Sequence, residues 1–122
     1  MDTFGQYLRS RREAKDATAR AAGLPGLSLR KVAGLVDLEP SYLSKIERGQ
    51  QPPPSERSII ALAEALGEDP DVLLALAGKV SSDLQAAILK RPALFAELIR
   101  ELKDQPDHAV LRIVREVRDG TW

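Results

Sequence analysis

A chain with 18 basic and 18 acidic side chains among 122 residues has no net charge, which argues mildly against a nucleic-acid partner. The absence of cysteine excludes a disulfide framework, a thiolate metal site and a cysteine nucleophile. Because no apolar run approaches the roughly 20 residues of a membrane span and the first residues lack a signal-peptide core, we expect a soluble, cytoplasmic protein.

The first predicted element is a helix over residues 4–15. Phe4 and Leu8 lie four residues apart, and Arg11 and Arg12 fall on the next turn, which is helical spacing. The alanines of residues 17–22 could extend this helix by a turn or more, before two glycines and a proline in residues 23–26 break it. For residues 16–27 we favour a loop insertion.

Residues 28–49, SLRKVAGLVDLEPSYLSKIERG, predict two short helices joined by a tight turn. The first helix carries the apolar stripe Val32, Ala33 and Val36. The second helix carries Leu43 and Ile46, three residues apart, on its inward face.

Caps and turn residues delimit these two helices. Ser28 is a suitable N-cap for the first, and Pro40 suits the first turn of the second, where its missing N–H is not needed. Gly49 can adopt the left-handed conformation that ends a helix. Asp37 and Leu38 remain for the turn.

Two further helices are predicted after three consecutive prolines at residues 52–54. Ser55 is expected to cap the fourth helix and Gly67 to end it, and the fifth begins at Asp69-Pro70 and ends at Gly78. The residues expected to face inward are Ile59, Ile60, Leu62, Ala63, Leu66, Val72, Leu73, Leu74 and Leu76.

The last third of the chain contains amphipathic helical segments. Ser81 or Ser82 caps the first, Arg91-Pro92 interrupts it, and Pro106 opens the last. Their apolar positions are Leu84, Ile88, Leu89, Leu94, Phe95, Leu98, Ile99, Leu102, Val110, Leu111, Val114 and Val117. Because such stripes must be buried, we favour homodimerisation through these helices; the alternative is that they fold back and enlarge the monomer.

The segment YLSKIERG at residues 42–49, with Val32-Ala33, the turn and the following PPPS, resembles the phage-repressor and Cro-like helix-turn-helix family, also called the xenobiotic-response-element family. The resemblance covers residues 4–77. It implies an all-α fold in which residues 1–78 form a five-helix, lambda-repressor-like DNA-binding domain. Residues 79–122 are then a C-terminal extension of two or three helices for dimerisation. The resemblance also implies that Arg12 pairs with Glu47.

The resemblance further implies that the recognition helix, residues 39–48, lies in the major groove of DNA. The positions matching its base-facing residues are Glu39, Pro40, Ser41 and Lys45. Lys45 can donate to guanine, Ser41 can donate or accept, and Pro40 offers only an apolar contact. Glu39 is expected to serve first as an N-cap, because a carboxylate suits the positive end of a helix.

The remaining expected contacts are with phosphates. Ser44 and Arg48 are assigned to the DNA backbone, which gives affinity and register. Tyr42 either directs its hydroxyl at a phosphate or is half-buried packing. The alternative hypothesis for the insertion, residues 16–27, is that Arg20 reaches a phosphate.

Two departures from the family pattern affect the site. Asp37 stands where the family usually has glycine in the turn, and aspartate tolerates a positive φ better than most residues. Leu29 stands where a glutamine often contacts a phosphate. Arg30 or Lys31 could take over that contact.

The function expected from this resemblance is a sequence-specific DNA-binding transcriptional regulator, most often a repressor, that binds double-stranded DNA as a homodimer. Residues 1–50 support it with nine Lys or Arg against six Asp or Glu, whereas residues 51–122 have nine against twelve. The alternative is a protein-interaction module, such as an antitoxin or a partner of a regulatory peptidase. Because His108 is the only histidine, no metal or cofactor is expected, and no motif indicates an enzyme.

Overall fold

The computed structural model describes residues 3–120 of the chain. This part of the chain contains eight α-helices and no β-strand. The helices are α1 Phe4–Ala21, α2 Leu29–Leu35, α3 Pro40–Glu47, α4 Glu56–Leu66, α5 Pro70–Leu76, α6 Ser82–Lys90, α7 Pro92–Leu102 and α8 Asp107–Asp119. The predicted all-α fold class is confirmed. Within the same residues, no helix is both long enough and apolar enough to cross a bilayer.

The helices belong to two compact units that meet in sequence between Ser81 and Ser82. The first unit contains α1–α5 and the second contains α6–α8. The division into a DNA-binding domain, residues 1–78, and a dimerisation extension, residues 79–122, stays a prediction. The outer ends of those two predicted domains, residues 1–2 and 121–122, lie outside the described range.

Side-chain caps fix where helices of the first unit begin. The hydroxyl of Ser28 accepts a hydrogen bond from the backbone N–H of Lys31 at 3.1 Å, ahead of α2. The hydroxyl of Ser55 accepts one from the N–H of Ser58 at 3.3 Å, ahead of α4. Each cap satisfies a donor that has no partner within its own helix, and both predicted caps are confirmed.

Helix α1 ends at Ala21, well beyond the predicted end at residue 15. The alanine-rich segment continues the helix because alanine has the highest helix propensity. A short loop, residues 22–28, then leads to α2. Within the insertion, residues 16–21 extend α1, as the alanines indicated, and only residues 22–27 form the favoured loop.

The core of the first unit is apolar and receives side chains from all five of its helices. Its buried members are Phe4, Leu8, Val32, Ala33, Val36, Leu43, Ile46, Ile59, Leu62, Ala63, Leu66, Leu73 and Leu74. Ile60 and Leu76 are half-buried against this core. The inward orientation predicted for Val72 is wrong, since its side chain is 49% exposed. Burial of Leu73 and Leu74 places Val72 roughly 150° around α5 from their mean direction.

The second unit has no buried side chain among its described residues, 82–120. The large apolar side chains that are exposed there are Leu84, Leu89, Leu94, Leu98, Ile99, Leu111, Ile113, Val114 and Val117. The predicted helices form, interrupted at Arg91 and opened at Pro106 as expected. Their apolar stripes therefore lie open on the surface of the unit.

Candidate nucleic-acid interface

The turn between α2 and α3 depends on a left-handed residue. Asp37 has φ 58°, and it is the only non-glycine residue with a positive φ in the described part of the chain. The N–H of Leu38 donates to the carbonyl of Ala33 at 2.9 Å, which closes the turn. The turn therefore forms with aspartate at the position where the resemblance leads us to expect glycine.

Helix α3 is held in place by its inner face. Pro40 occupies its first turn, and the side chains of Leu43 and Ile46 are fully buried in the core. Gly49 follows the helix with φ 74°, in the conformation predicted for it. Tyr42 is half-buried and packs against the core, in agreement with the packing alternative.

A buried ion pair joins α3 to α1. The guanidinium of Arg12 donates from Nε to Oε2 of Glu47 at 2.7 Å and from Nη2 to Oε1 at 3.0 Å. The exposed fractions are 12% for the Arg12 side chain and 3% for the Glu47 side chain. The hydrogen bond with Glu47 raises the pKa of Arg12, against the lowering effect of burial. The predicted pair is confirmed, and its two-point geometry fixes the orientation of α3.

Side chains of α1 also bind the backbone of Leu27, which lies two residues before α2 begins. The carboxylate of Asp16 accepts a hydrogen bond from the N–H of Leu27 at 2.7 Å, and Nη1 of Arg12 donates to the Leu27 carbonyl at 3.4 Å. The Arg20 guanidinium donates to both carboxylate oxygens of Asp16 at 3.1 Å. A Cβ at Gly26 would lie 2.2 Å from the same carboxylate, so the loop passes very close to α1.

The two hydrogen bonds by which Asp16 and Arg12 hold the backbone of Leu27, called the clasp below, were not predicted from the sequence. The one available signal was the spacing of Asp16 and Arg20, which are four residues apart on one helix. The alternative in which Arg20 reaches a phosphate stays a prediction: Nε of Arg20 is hydrogen-bonded to Asp16, while 65% of its side chain is exposed. The insertion therefore holds the backbone at Leu27, immediately before Ser28, the N-cap of α2.

Replacing Asp16 with alanine is expected to lower the free energy of unfolding by about 1–2 kcal/mol, because the N–H of Leu27 and the Arg20 guanidinium both lose an acceptor. Chemical denaturation followed by circular dichroism measures the change. The matched control is Glu13→Ala, whose partner Arg9 is also four residues away but whose pair is more than half exposed. That variant should stay within about 0.5 kcal/mol of the parent chain. Equal losses in the two variants would contradict the clasp.

The outer face of α3 is polar and open. Ser41, Lys45 and Arg48 follow at spacings of four and three residues and are all exposed, so they form one stripe along the helix. Ser44 is half-buried beside this stripe, and its carbonyl accepts a hydrogen bond from Nε of Arg48 at 3.3 Å. The predicted contact residues of α3 are thus brought together on its solvent side.

Three other predicted site residues lie at the N-cap of α3 and in the first turn of α2. Glu39 holds the N-cap position of α3, but its side chain makes no capping hydrogen bond, which corrects the expectation that its carboxylate caps the helix. Its ψ of 134° gives it the extended backbone of a cap, while the carboxylate stays exposed. Arg30 and Lys31 are exposed in the first turn of α2.

A short helix, a left-handed turn and a second helix with a buried inner face and an exposed polar outer face define a helix-turn-helix DNA-binding protein. A family model described as "Helix-turn-helix domain" matches residues 3–76. The chain belongs to this family, in its phage-repressor-like or xenobiotic-response-element form, which comprises DNA-binding transcription regulators.

The solved structures that are similar to this chain include the following two. The restriction-modification controller protein C.AhdI from Aeromonas hydrophila is 40% identical over 57% of this chain and 89% of that chain, with a TM-score of 0.45. A chain of the SinR protein/SinI protein complex is 18% identical over 95% of each chain, with a TM-score of 0.47. No curated protein matches the sequence. The family assignment rests on the family model.

Proposed function

We propose that the chain is a sequence-specific regulator that binds operator DNA through α3 and acts as a repressor. The observation that carries this proposal is the exposed stripe of Ser41, Lys45 and Arg48 on a helix whose reverse face is locked by the Arg12–Glu47 pair. A recognition helix must present its polar side chains in a fixed orientation to read base edges. Such a regulator acts where the chromosome lies, in the cytoplasm.

We assign the base contacts to residues at the start of α3 and to Lys45 in its last turn. Lys45 donates to the O6 and N7 acceptors of guanine, and Ser41 donates or accepts at a neighbouring base edge. Pro40 supplies an apolar contact to a thymine methyl group. Because the carboxylate of Glu39 is exposed and takes no part in capping, it is available to accept a hydrogen bond from cytosine N4.

We assign the phosphate contacts to the margins of the motif. Arg48 and Ser44 lie near the end of α3, and Arg30 and Lys31 are exposed in the first turn of α2. The hydroxyl of Tyr42 is a further candidate, since its ring is only half-buried. These contacts supply affinity and register, whereas base contacts supply sequence preference.

We further propose that the chain binds as a homodimer formed by the second unit. The exposed apolar side chains of α6–α8 support this, because open apolar stripes of this kind mark interaction surfaces. A two-fold dimer presents two copies of α3 to half-sites about 34 Å apart, which is one turn of the DNA duplex. The proposed operator is therefore roughly palindromic.

Variants of the two longest basic side chains on α3 separate base contacts from phosphate contacts. After selection of bound duplexes from a random pool, Lys45→Ala should lose about 1–3 kcal/mol of discrimination against substituted base pairs. Arg48→Ala, the matched control, should weaken binding to all sequences by a similar factor and reduce the salt dependence by about one phosphate. Fluorescence anisotropy measures both effects. An unchanged site preference for Lys45→Ala would remove Lys45 from the base contacts.

The same open surface of α6–α8 also favours a second candidate function, that of a protein-interaction module. In this case the occupant is a different protein, such as a toxin or a regulatory peptidase, and the chain acts as its antitoxin or regulatory partner. Light scattering on the purified chain distinguishes the two functions. A monomer that binds a selected duplex no better than random duplex, and that co-purifies with a second protein in fixed ratio, would favour the module.

A further inference from the structure

The apolar stripe of α8 is regularly spaced and open to solvent. Val110, Val114 and Val117 follow at four and three residues, with Ile113 beside them, so these side chains share one side of the helix. The exposed fractions are 39% for Ile113, 43% for Val114 and 61% for Val117, and Val110 is half-buried. This helix therefore offers an apolar seam of about two turns.

Opposite charges lie at the two ends of one flank of this seam. One line along α8 contains four side chains that are spaced by four, three and four residues: Asp107, Leu111, Val114 and Arg118. Neither Asp107 nor Arg118 has an ion-pair partner within residues 3–120. The flank is thus acidic where the helix begins and basic where it ends, so it is complementary to itself in the opposite direction.

We propose that α8 pairs antiparallel with α8 of a second copy of this chain, about a two-fold axis that passes between Ile113 and Val114. In this register Val110 faces Val117 of the second copy, and Ile113 faces Val114 of the second copy. Each contact occurs twice, as an isologous interface requires. The inference rests on the proposed function, because it assigns the core of the dimer interface.

The charges select this orientation over the parallel one. A two-fold axis perpendicular to the two helices keeps each flank opposite the same flank of the other copy. Asp107 then comes within about two residues, or ~3 Å along the axis, of Arg118 in the second copy. Parallel pairing, about an axis along the helices, would place each flank opposite the other flank of the second copy, so Asp107 and Arg118 would lose this contact between opposite charges. Arg112 does not interfere, because its Nε donates to Glu116 of its own helix at 3.4 Å.

Single cysteines test the orientation cleanly, because the native chain has none. Val114→Cys lies near the axis and is expected to form a disulfide-linked dimer under mild oxidation. Val110→Cys and Val117→Cys should each fail to cross-link alone, since each would be displaced by about 10 Å along the axis from its own copy. An equimolar mixture of these two variants should cross-link. Self-cross-linking of Val110→Cys alone, with no disulfide between the two different variants in the mixture, would establish parallel pairing and overturn the proposal.

A charge swap tests the flank. Asp107→Arg and Arg118→Asp should each weaken the dimer about tenfold in sedimentation equilibrium, and the double variant should return to within about twofold of the parent chain. Arg115→Asp, which makes the same charge change about 150° around α8 from the centre of the apolar seam, should leave the dimer unchanged. If the double variant is weaker than both single variants, the charges act only through the helix ends, and the pairing is wrong.

Failure of this inference is distinguishable from failure of the proposed function. A chain that dimerises and prefers a selected operator, but lacks the predicted cross-linking pattern, keeps the proposed function and loses the α8 pairing. A chain that stays monomeric at every concentration tested loses the pairing and the homodimer together, while operator preference is measured separately through Lys45. Cross-linking of Val114→Cys only to a different protein would assign the seam to that partner and overturn self-pairing.

Discussion

Replacing Arg12 with alanine is expected to lower the free energy of unfolding by about 3–5 kcal/mol, because it leaves a buried carboxylate without a counter-charge. The Glu47 side chain is 3% exposed, and both its oxygens accept hydrogen bonds from Arg12. Small domains are stable by only ~5–15 kcal/mol, so this variant would lose a large part of its stability. Denaturation by urea, followed by circular dichroism, measures the loss.

A double variant distinguishes the cost of an unpaired charge from the value of the pair. Arg12→Met combined with Glu47→Leu should lie within about 2 kcal/mol of the parent chain, because apolar residues of similar volume often replace a buried pair without loss. Arg12→Lys should be intermediate, since an ammonium cannot form the two-point contact. A loss below about 1 kcal/mol for Arg12→Ala would show that Glu47 is hydrated in solution.

The sign of the pKa shift predicts how this pair responds to pH. The hydrogen bond with Glu47 raises the pKa of Arg12 above its ordinary value. A raised pKa in the folded state means that the stabilisation is fully present below the unfolded pKa and is lost only as pH rises through the folded value. Arg12 therefore stays protonated across neutral and moderately alkaline pH, and its pair with Glu47 continues to anchor α3 over that range.

Replacing Gly5 with alanine is expected to lower the free energy of unfolding by about 3 kcal/mol or more, which is the upper end of the usual range for overpacking. A Cβ at this position would lie 2.3 Å from the carbonyl oxygen of Ile46 and 2.8 Å from that of Glu47. Both atoms belong to the backbone of α3, which cannot rotate away as a side chain would. The methyl group would therefore push α1 and α3 apart and also strain the Arg12–Glu47 pair. Thermal and urea denaturation measure the effect.

Gly34→Ala is the matched control for this prediction. Gly34 lies in α2, it is exposed, and nothing lies within 4 Å of a Cβ added there. Alanine should stabilise this position by about 0.4–1 kcal/mol, because it restricts the unfolded chain without strain in the folded one. If Gly5→Ala behaved in the same way, the close approach of α1 to α3 would be wrong.

The frame of the helix-turn-helix motif could be predicted because its signals are local. Ser28 and Ser55 cap the helices that follow them, and Asp37 and Gly49 adopt the left-handed conformations that their residue types favour. The spacing of the apolar residues in α2 and α3 predicted their inner faces correctly. Only the Arg12–Glu47 pair required the family resemblance, because its partners are 35 residues apart.

Features that depend on how helices approach one another could not be predicted. The clasp of Asp16 on Leu27 joins residues 11 apart through a backbone N–H, which no side-chain pattern reports. The close approach of Gly5 to α3 is likewise a property of packing alone. Val72 was misplaced because α5 is only seven residues long, so its period defines no single inner face.

The sequence predicted the contact residues of α3 as positions on the helix, but not the base that each of them reads. The side chain of Glu39 illustrates why, because sequence reasoning assigned it a capping role that its exposed carboxylate does not fill. In the proposed complex, its position beside Pro40 and Ser41 at the start of α3 leaves it available to a base. Which base each side chain reads depends on how α3 docks in the groove, and residue type alone does not determine that orientation.

Binding of the full chain to a selected duplex and to a scrambled duplex, in parallel salt series, tests sequence-specific recognition most directly. The proposed function predicts a preference of at least about 10³-fold for the selected duplex at physiological salt, with affinity for both duplexes falling steeply as salt rises. Lys45→Ala should reduce the preference rather than the salt dependence. Equal affinity for the selected and scrambled duplexes across the whole series would contradict recognition of sequence by α3.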